Sequence, residues 1–205
     1  MLCFMCKKIL LKSAIATCFL LFLTSCTSVT TSRDNNQIAN LTTPTAEQLN
    51  NAANTNIELG LYYLEKKDIK QAQAKFLLVL QQAPQNFLAY DAMGYFLETI
   101  QEIPEAEKYY KEAIKRASSK NTSAAHNNYG AFLYRQHRCQ EALEEFVLIL
   151  HDINYLNLAA ANENAGLAAV CLNEKVKAEK LLKKSLLIEP NRKSAKEILQ
   201  RLLQK

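Results

Sequence analysis

Glycine is scarce in this sequence: there are four in 205 residues, and no two lie close together. A loop that cradles phosphate needs clustered glycines, so none is expected. Histidine is as thin. His126, His137 and His151 are scattered, and His137-x-Cys139 alone is too small a cluster for a zinc site. No Ser, His and Asp grouping emerges from spacing, and Glu144-Glu145 is most simply a solvated helix face. The longest apolar stretch, within Ser13–Leu23, is about 11 residues, short of the roughly 20 that cross a bilayer. A basic stripe is also missing. The net charge is +5, of which Lys7, Lys8 and Lys12 contribute three, so the rest carries about +2 and nucleic acid is not an expected partner. The composition therefore argues against an enzyme, a bound metal or cofactor, and a small-molecule substrate.

What is present is a repeat, and the glycines mark it. Gly60, Gly94, Gly130 and Gly166 are spaced by 34, 36 and 36 residues. Twelve residues after each stands an alanine (Ala72, Ala106, Ala142, Ala178), and sixteen after each a large apolar residue (Phe76, Tyr110, Phe146, Leu182). A period of this length is the signature of a solenoid. Glycine inside a helix costs about 1 kcal/mol relative to alanine, so four at one register imply a packing reason: two helices touch there. Turns are expected at Lys66-Lys67-Asp68, Gln101-Glu102-Ile103, Gln136-His137-Arg138 and Asn173-Glu174, with Pro104 in the first turn of its helix. The longer second and third repeats place their extra residues around Ser118–Thr122 and His151–Leu156. After Pro190, Lys193–Leu203 is amphipathic and is expected to cap the last repeat.

The register resembles the tetratricopeptide repeat (TPR), a helix-turn-helix of about 34 residues. Repeat one supplies Leu59, Gly60, Tyr63, Ala72, Phe76, Val79 and Pro84 to that pattern, and repeat four Ala165, Gly166, Ala169, Ala178, Leu182, Ser185 and Pro190. The implied fold is all-α, a right-handed TPR solenoid of four repeats (53–86, 87–122, 123–158, 159–190) with a capping helix in 191–205.

Residues 1–25 have the form of a signal peptide: a basic start, an apolar core, then small residues. Leu23-Thr24-Ser25-Cys26 resembles the bacterial lipobox. In that pattern the chain is cleaved before the cysteine, whose thiol takes a diacylglycerol and whose new amine is acylated, palmitate being the usual chain. Several acyl chains make a stable anchor. Thr27 stands where an Asp would favour inner-membrane retention, which points to the outer membrane of a Gram-negative bacterium, facing the periplasm. Thr27–Ala52 is rich in Thr, Ser, Asn and Gln and is expected to be a flexible tether, although Pro44 and Thr45 offer a possible helix start.

His126-Asn127-Asn128-Tyr129-Gly130-Ala131-Phe132-Leu133 and Ala161-Asn162-Glu163-Asn164-Ala165-Gly166-Leu167, together with the lipobox, resemble the type IV pilus biogenesis/stability lipoproteins, the pilotin family (PilF/PilW). The resemblance implies an adaptor that promotes localisation and ring assembly of the pilus secretin, and it covers Cys26 to about Pro190. Familiar members carry about six repeats, against four here. By TPR register the concave groove includes Asn54, Ile57, Leu61, Leu88, Asp91, Tyr95, Glu98, Asn127, Tyr134, Arg135, Glu163 and Leu167. Such a mixture suits an extended or helical peptide segment. The other reading is a different periplasmic TPR lipoprotein scaffold, serving outer-membrane protein insertion or cell-wall synthesis. Cys139 and Cys171 open and close helices in neighbouring repeats. They are candidates for a disulfide in an oxidising space, the alternative being two small core residues that never meet.

Overall fold

In a computed structural model, residues 44–204 are described. The expected signal peptide, Cys26 and most of the tether lie outside them. Among the described residues there are nine helices and no strand: α1 (Ala46–Glu65), α2 (Ile69–Gln82), α3 (Phe87–Thr99), α4 (Ile103–Arg116), α5 (Thr122–Arg135), α6 (Cys139–Ile149), α7 (Leu158–Cys171), α8 (Lys175–Ile188) and α9 (Lys193–Leu203). Helices α1, α3, α5 and α7 each pack on the helix that follows and on the next odd helix. The chain is an all-α TPR solenoid of four helix pairs, and α9 caps it by packing on α7 and α8.

The glycines lie where paired helices approach most closely. A Cβ built on Gly60 would sit 2.6 Å from Phe76 Cζ, and one on Gly130 would sit 2.7 Å from Phe146 Cε1. At Gly94 the same neighbour is Tyr110, and at Gly166 it is Leu182. The residue sixteen positions on thus fills the space that the missing side chain leaves. The alanine twelve positions on is fully buried in every repeat. Burying these apolar side chains between layers is the main favourable term. Phe76, Met93 and Phe96 build one core across repeats one and two. Tyr110, Phe132, Leu133, Phe146 and Leu181 build a larger one across repeats two to four. Helix α7 is buried on most sides, and its Ala161, Ala165, Ala168 and Ala169 let its neighbours close on it.

The turns within each pair share one geometry. Lys67, Gln101, His137 and Asn173, each seven residues after a glycine, have φ of 60°, 67°, 59° and 60°. In repeat one, Asp68 N–H donates to Tyr63 O and Lys67 N–H to Leu64 O, both at 2.9 Å. The other three repeats repeat both bonds, which is the Schellman end of a helix. This left-handed position favours glycine, yet none of the four repeats uses one there.

One boundary differs from expectation. The tether is expected to run to Ala52, but α1 begins at Ala46. Thr45 caps it: its hydroxyl accepts from Gln48 N–H while Gln48 Oε1 accepts from Thr45 N–H. This reciprocal box satisfies two donors at the helix end, so the polar composition of 46–52 does not prevent helix. Asn50 Oδ1 also accepts from Asn86 Nδ2 at 3.2 Å, tying the extension to the residue that caps α3. At the other end, Ala195 of α9 is buried and Leu202 packs on the larger core, whereas Leu203 is exposed.

Candidate binding groove

The first helices of the repeats share one face of the stack. Between α1, α3 and α5 this face forms an open cavity of about 510 Å³. Asn54, Ile57, Glu58 and Leu61 line it from α1, Leu88, Asp91, Ala92 and Tyr95 from α3, and Asn128, Ala131 and Arg135 from α5, with Tyr110 beneath. Leu61 and Tyr95 remain 41% and 43% exposed, a large apolar surface held open to solvent.

One carboxylate lies in the floor, Asp91, and a second, Glu98, lies behind it. Asp91 is only 6% exposed. Its Oδ2 accepts from the Asn128 amide, while the buried Oδ1 has no partner among the described residues. Burial disfavours the anion and pushes the Asp91 pKa up to about 7, against the opposing effect of the Asn128 bond. Glu98 is fully engaged. It accepts from Arg135 Nε and Nη2, both at 2.7 Å, from Tyr110 Oη at 3.1 Å and from Gln136 Nε2 at 3.3 Å. The bidentate fork is a strong arrangement for a carboxylate and guanidinium. The Glu98 bond raises the Arg135 pKa, and burial pushes that of Tyr110 well above the phenol range.

Seven of the groove residues expected from the register come together on this cavity: Asn54, Ile57, Leu61, Leu88, Asp91, Tyr95 and Arg135. Glu98 lies behind them as the partner of Arg135. The others are engaged elsewhere. Asn127 accepts from the Asn164 amide at 3.1 Å, Glu163 is buried against Arg192 ahead of α9, Tyr134 packs on the core, and Leu167 is half-buried. Glu58, Ala92, Tyr110, Asn128 and Ala131 also line the cavity, outside the positions expected from the register. A signal was available for Asn128: Asp91 with Asn128, Glu98 with Arg135 and Asn127 with Asn164 are all 37 residues apart, about one repeat. Polar residues complementary at that spacing bridge neighbouring first helices.

A second network stands on the paired side. Glu107 accepts from Arg138 Nη1 at 2.6 Å and from Tyr129 Oη at 2.8 Å. The Arg138 bond, foremost, lowers the Glu107 pKa to about 2. Beside it, Cys139 and Cys171 are joined as a disulfide with Cα atoms 6.2 Å apart, linking the start of α6 to the end of α7.

No protein-family model matches the chain. Among curated proteins, the type IV pilus assembly protein PilF of Pseudomonas aeruginosa is 30% identical over 138 residues, which is 67% of this chain and 54% of PilF. The chain is homologous to PilF. It spans about half of PilF's length. The solved structure of PilF superposes with a TM-score of 0.67 at 28% identity, covering 76% of this chain and 69% of that one. PilW, described as a widely conserved type IV pilus biogenesis factor, gives 0.64 at 27% identity, covering 73% and 68%. YrrB, a TPR protein with an unusual peptide-binding site, shares the fold alone: TM-score 0.56, 23% identity, 73% and 75% covered.

Proposed function

We propose that the chain is a lipid-anchored adaptor of type IV pilus biogenesis. It is attached through Cys26 to the outer membrane of a Gram-negative bacterium and faces the periplasm. It works as a pilotin: its groove holds a segment of the pilus secretin subunit, and the lipid carries the pair to the membrane where the secretin assembles. It acts by binding, and no bond is made or broken. The observation that carries this reading is the open apolar surface of Ile57, Leu61, Leu88 and Tyr95, built on a chain homologous to PilF. Such a surface suits an amphipathic polypeptide segment, whose apolar side chains it takes from water.

Cys26→Ala tests the anchor and the role together. The variant is expected in the soluble fraction, with fewer secretin multimers in the membrane. Undiminished multimers in this variant and in a full deletion would overturn the reading. Capture of the lipoprotein from detergent-solubilised membranes, read by mass spectrometry, is expected to bring down the secretin subunit. Recovery of outer-membrane insertion or cell-wall synthesis components in its place would move the protein to a different periplasmic scaffold.

A further inference from the structure

The charges of the folded part are unevenly divided. Residues 44–173 carry eleven Lys and Arg against fifteen Asp and Glu, while residues 174–205 carry ten against four. The excess is gathered on α8 and α9. Val176, Lys180, Lys183, Lys184 and Leu187 recur at helical spacing and, with Glu179 as the one acid among them, line one exposed face of α8. Val176 and Leu187, at its two ends, are 84% and 82% exposed. Ala178, Leu181, Leu182 and Ser185 are the buried side of the same helix. Of the three lysines only Lys183 has an acidic partner among the described residues, Glu179 at 2.6 Å. Lys193 and Lys196 on α9, which packs on α8, are exposed and likewise unpaired among the described residues. The corresponding positions of repeat three, 36 residues earlier, are Gln140, Glu144, Val147, Leu148 and His151, without a lysine.

We propose that this α8 face docks on an anionic phospholipid surface. Lys180, Lys183 and Lys184 meet headgroup phosphates, and Val176 and Leu187 enter the boundary between headgroups and acyl chains. Three features favour a lipid surface as the occupant. The face belongs to a single helix and is not a deep slot, so a broad, yielding surface can cover it without a matching shape. Its apolar ends are about 16 Å apart along the axis, so both enter the boundary when the helix lies flat. Lysine stems run along apolar surface while their ammonium groups reach out to phosphate. The inference does not depend on which polypeptide the groove holds, because α8 contributes nothing to that cavity.

The test uses a chain beginning at Thr27, which has neither the apolar leader nor a lipid of its own. The cores that hold α1–α9 together are built from side chains of those helices and their caps. Co-sedimentation at low salt with phosphatidylcholine vesicles, with and without phosphatidylglycerol, reads binding. Binding is expected only with phosphatidylglycerol. Each near-surface lysine contributes about fivefold, so Lys180→Glu with Lys184→Glu is expected to weaken it by about 30-fold or more. Val176→Ser with Leu187→Ser is expected to weaken it as well, while Lys70→Glu with Lys120→Glu leaves it unchanged. Circular dichroism checks that each variant is folded. Binding that ignores phosphatidylglycerol or the Lys180 and Lys184 reversals overturns the proposal, as does equal loss in the Lys70 and Lys120 variant. So does a soluble polyglutamate chain held through Lys180 and Lys184 when vesicles are not.

Discussion

The two halves of the concave face use one register differently. In repeats one and two the groove positions hold Leu61, Leu88 and Tyr95, which stay open to solvent, and the half-buried Ile57. In repeats three and four the polar positions are closed onto neighbours: Asn127 onto Asn164, and Glu163 onto Arg192. The Glu98–Arg135 fork stands at the border. A position that faces the groove is thus free to bind only where the next repeat does not already satisfy it. The open half offers surface to a partner, and the closed half holds the stack and its cap together.

The largest expected effect lies in the closed half. The disulfide closes a loop with a sequence separation of 32, worth about 3–4 kcal/mol in the chain-entropy model. Reduction is expected to speed amide exchange in α6 and α7 and leave α1 to α3 little changed, because stability in a solenoid is a sum of local terms. Uniform acceleration along the chain would break the distinction between the halves. Next comes the open half. Leu61→Asp with Leu88→Asp is expected to weaken capture of the partner held by the wild-type lipoprotein by about 30-fold or more. Both side chains are already partly exposed, so the melting temperature should move by no more than about 2 °C. A large drop in melting temperature would show that the apolar surface is structural.

A third contrast is a pH slope set by two carboxyls, the smallest of the three per pH unit. The Asp91 pKa is raised from 3.8 to about 7, so the folded state holds the proton more tightly than the unfolded chain. Its contribution is most favourable below about pH 4 and is lost as pH rises towards 7, at no more than about 1.4 kcal/mol per pH unit. Glu107 has the opposite sign: its pKa is lowered from 4.5 to about 2, so its contribution is present above 4.5 and lost as pH falls towards 2. Asp91→Asn keeps an acceptor for the Asn128 amide and removes the charge. Urea melts should show this variant gaining on the wild type between about pH 4 and 7 and retaining the acid-side loss that Glu107 produces. A wild-type curve identical to the variant's across that window would mean that Asp91 ionises freely in the folded protein.

Much of this architecture was legible in advance. The repeat period, the four turns and the capping helix at Lys193–Leu203 follow from glycine spacing and apolar periodicity, which are local and additive. Less visible was the early start of α1, where the capping of Thr45 by Gln48 outweighs a polar, tether-like composition. The left-handed turn residues were hidden because Lys67, Gln101, His137 and Asn173 occupy a position that usually signals itself by glycine. Seven of twelve expected groove residues meet on one cavity, and the remainder show the limit of register as a guide.

The sequence by itself determined the helix pairs and their contacts, since a missing Cβ at Gly60 or Gly130 and a ring sixteen residues on are complementary shapes within one repeat. Only the tertiary structure decided which groove side chains are free. Asp91 with Asn128, Glu98 with Arg135 and Glu163 with Arg192 are far apart in the chain, and they meet because stacking brings successive repeats, and finally the cap, into hydrogen-bonding reach. A polar side chain taken out of water must find a partner, and which partner it finds is a property of the stack and not of the repeat.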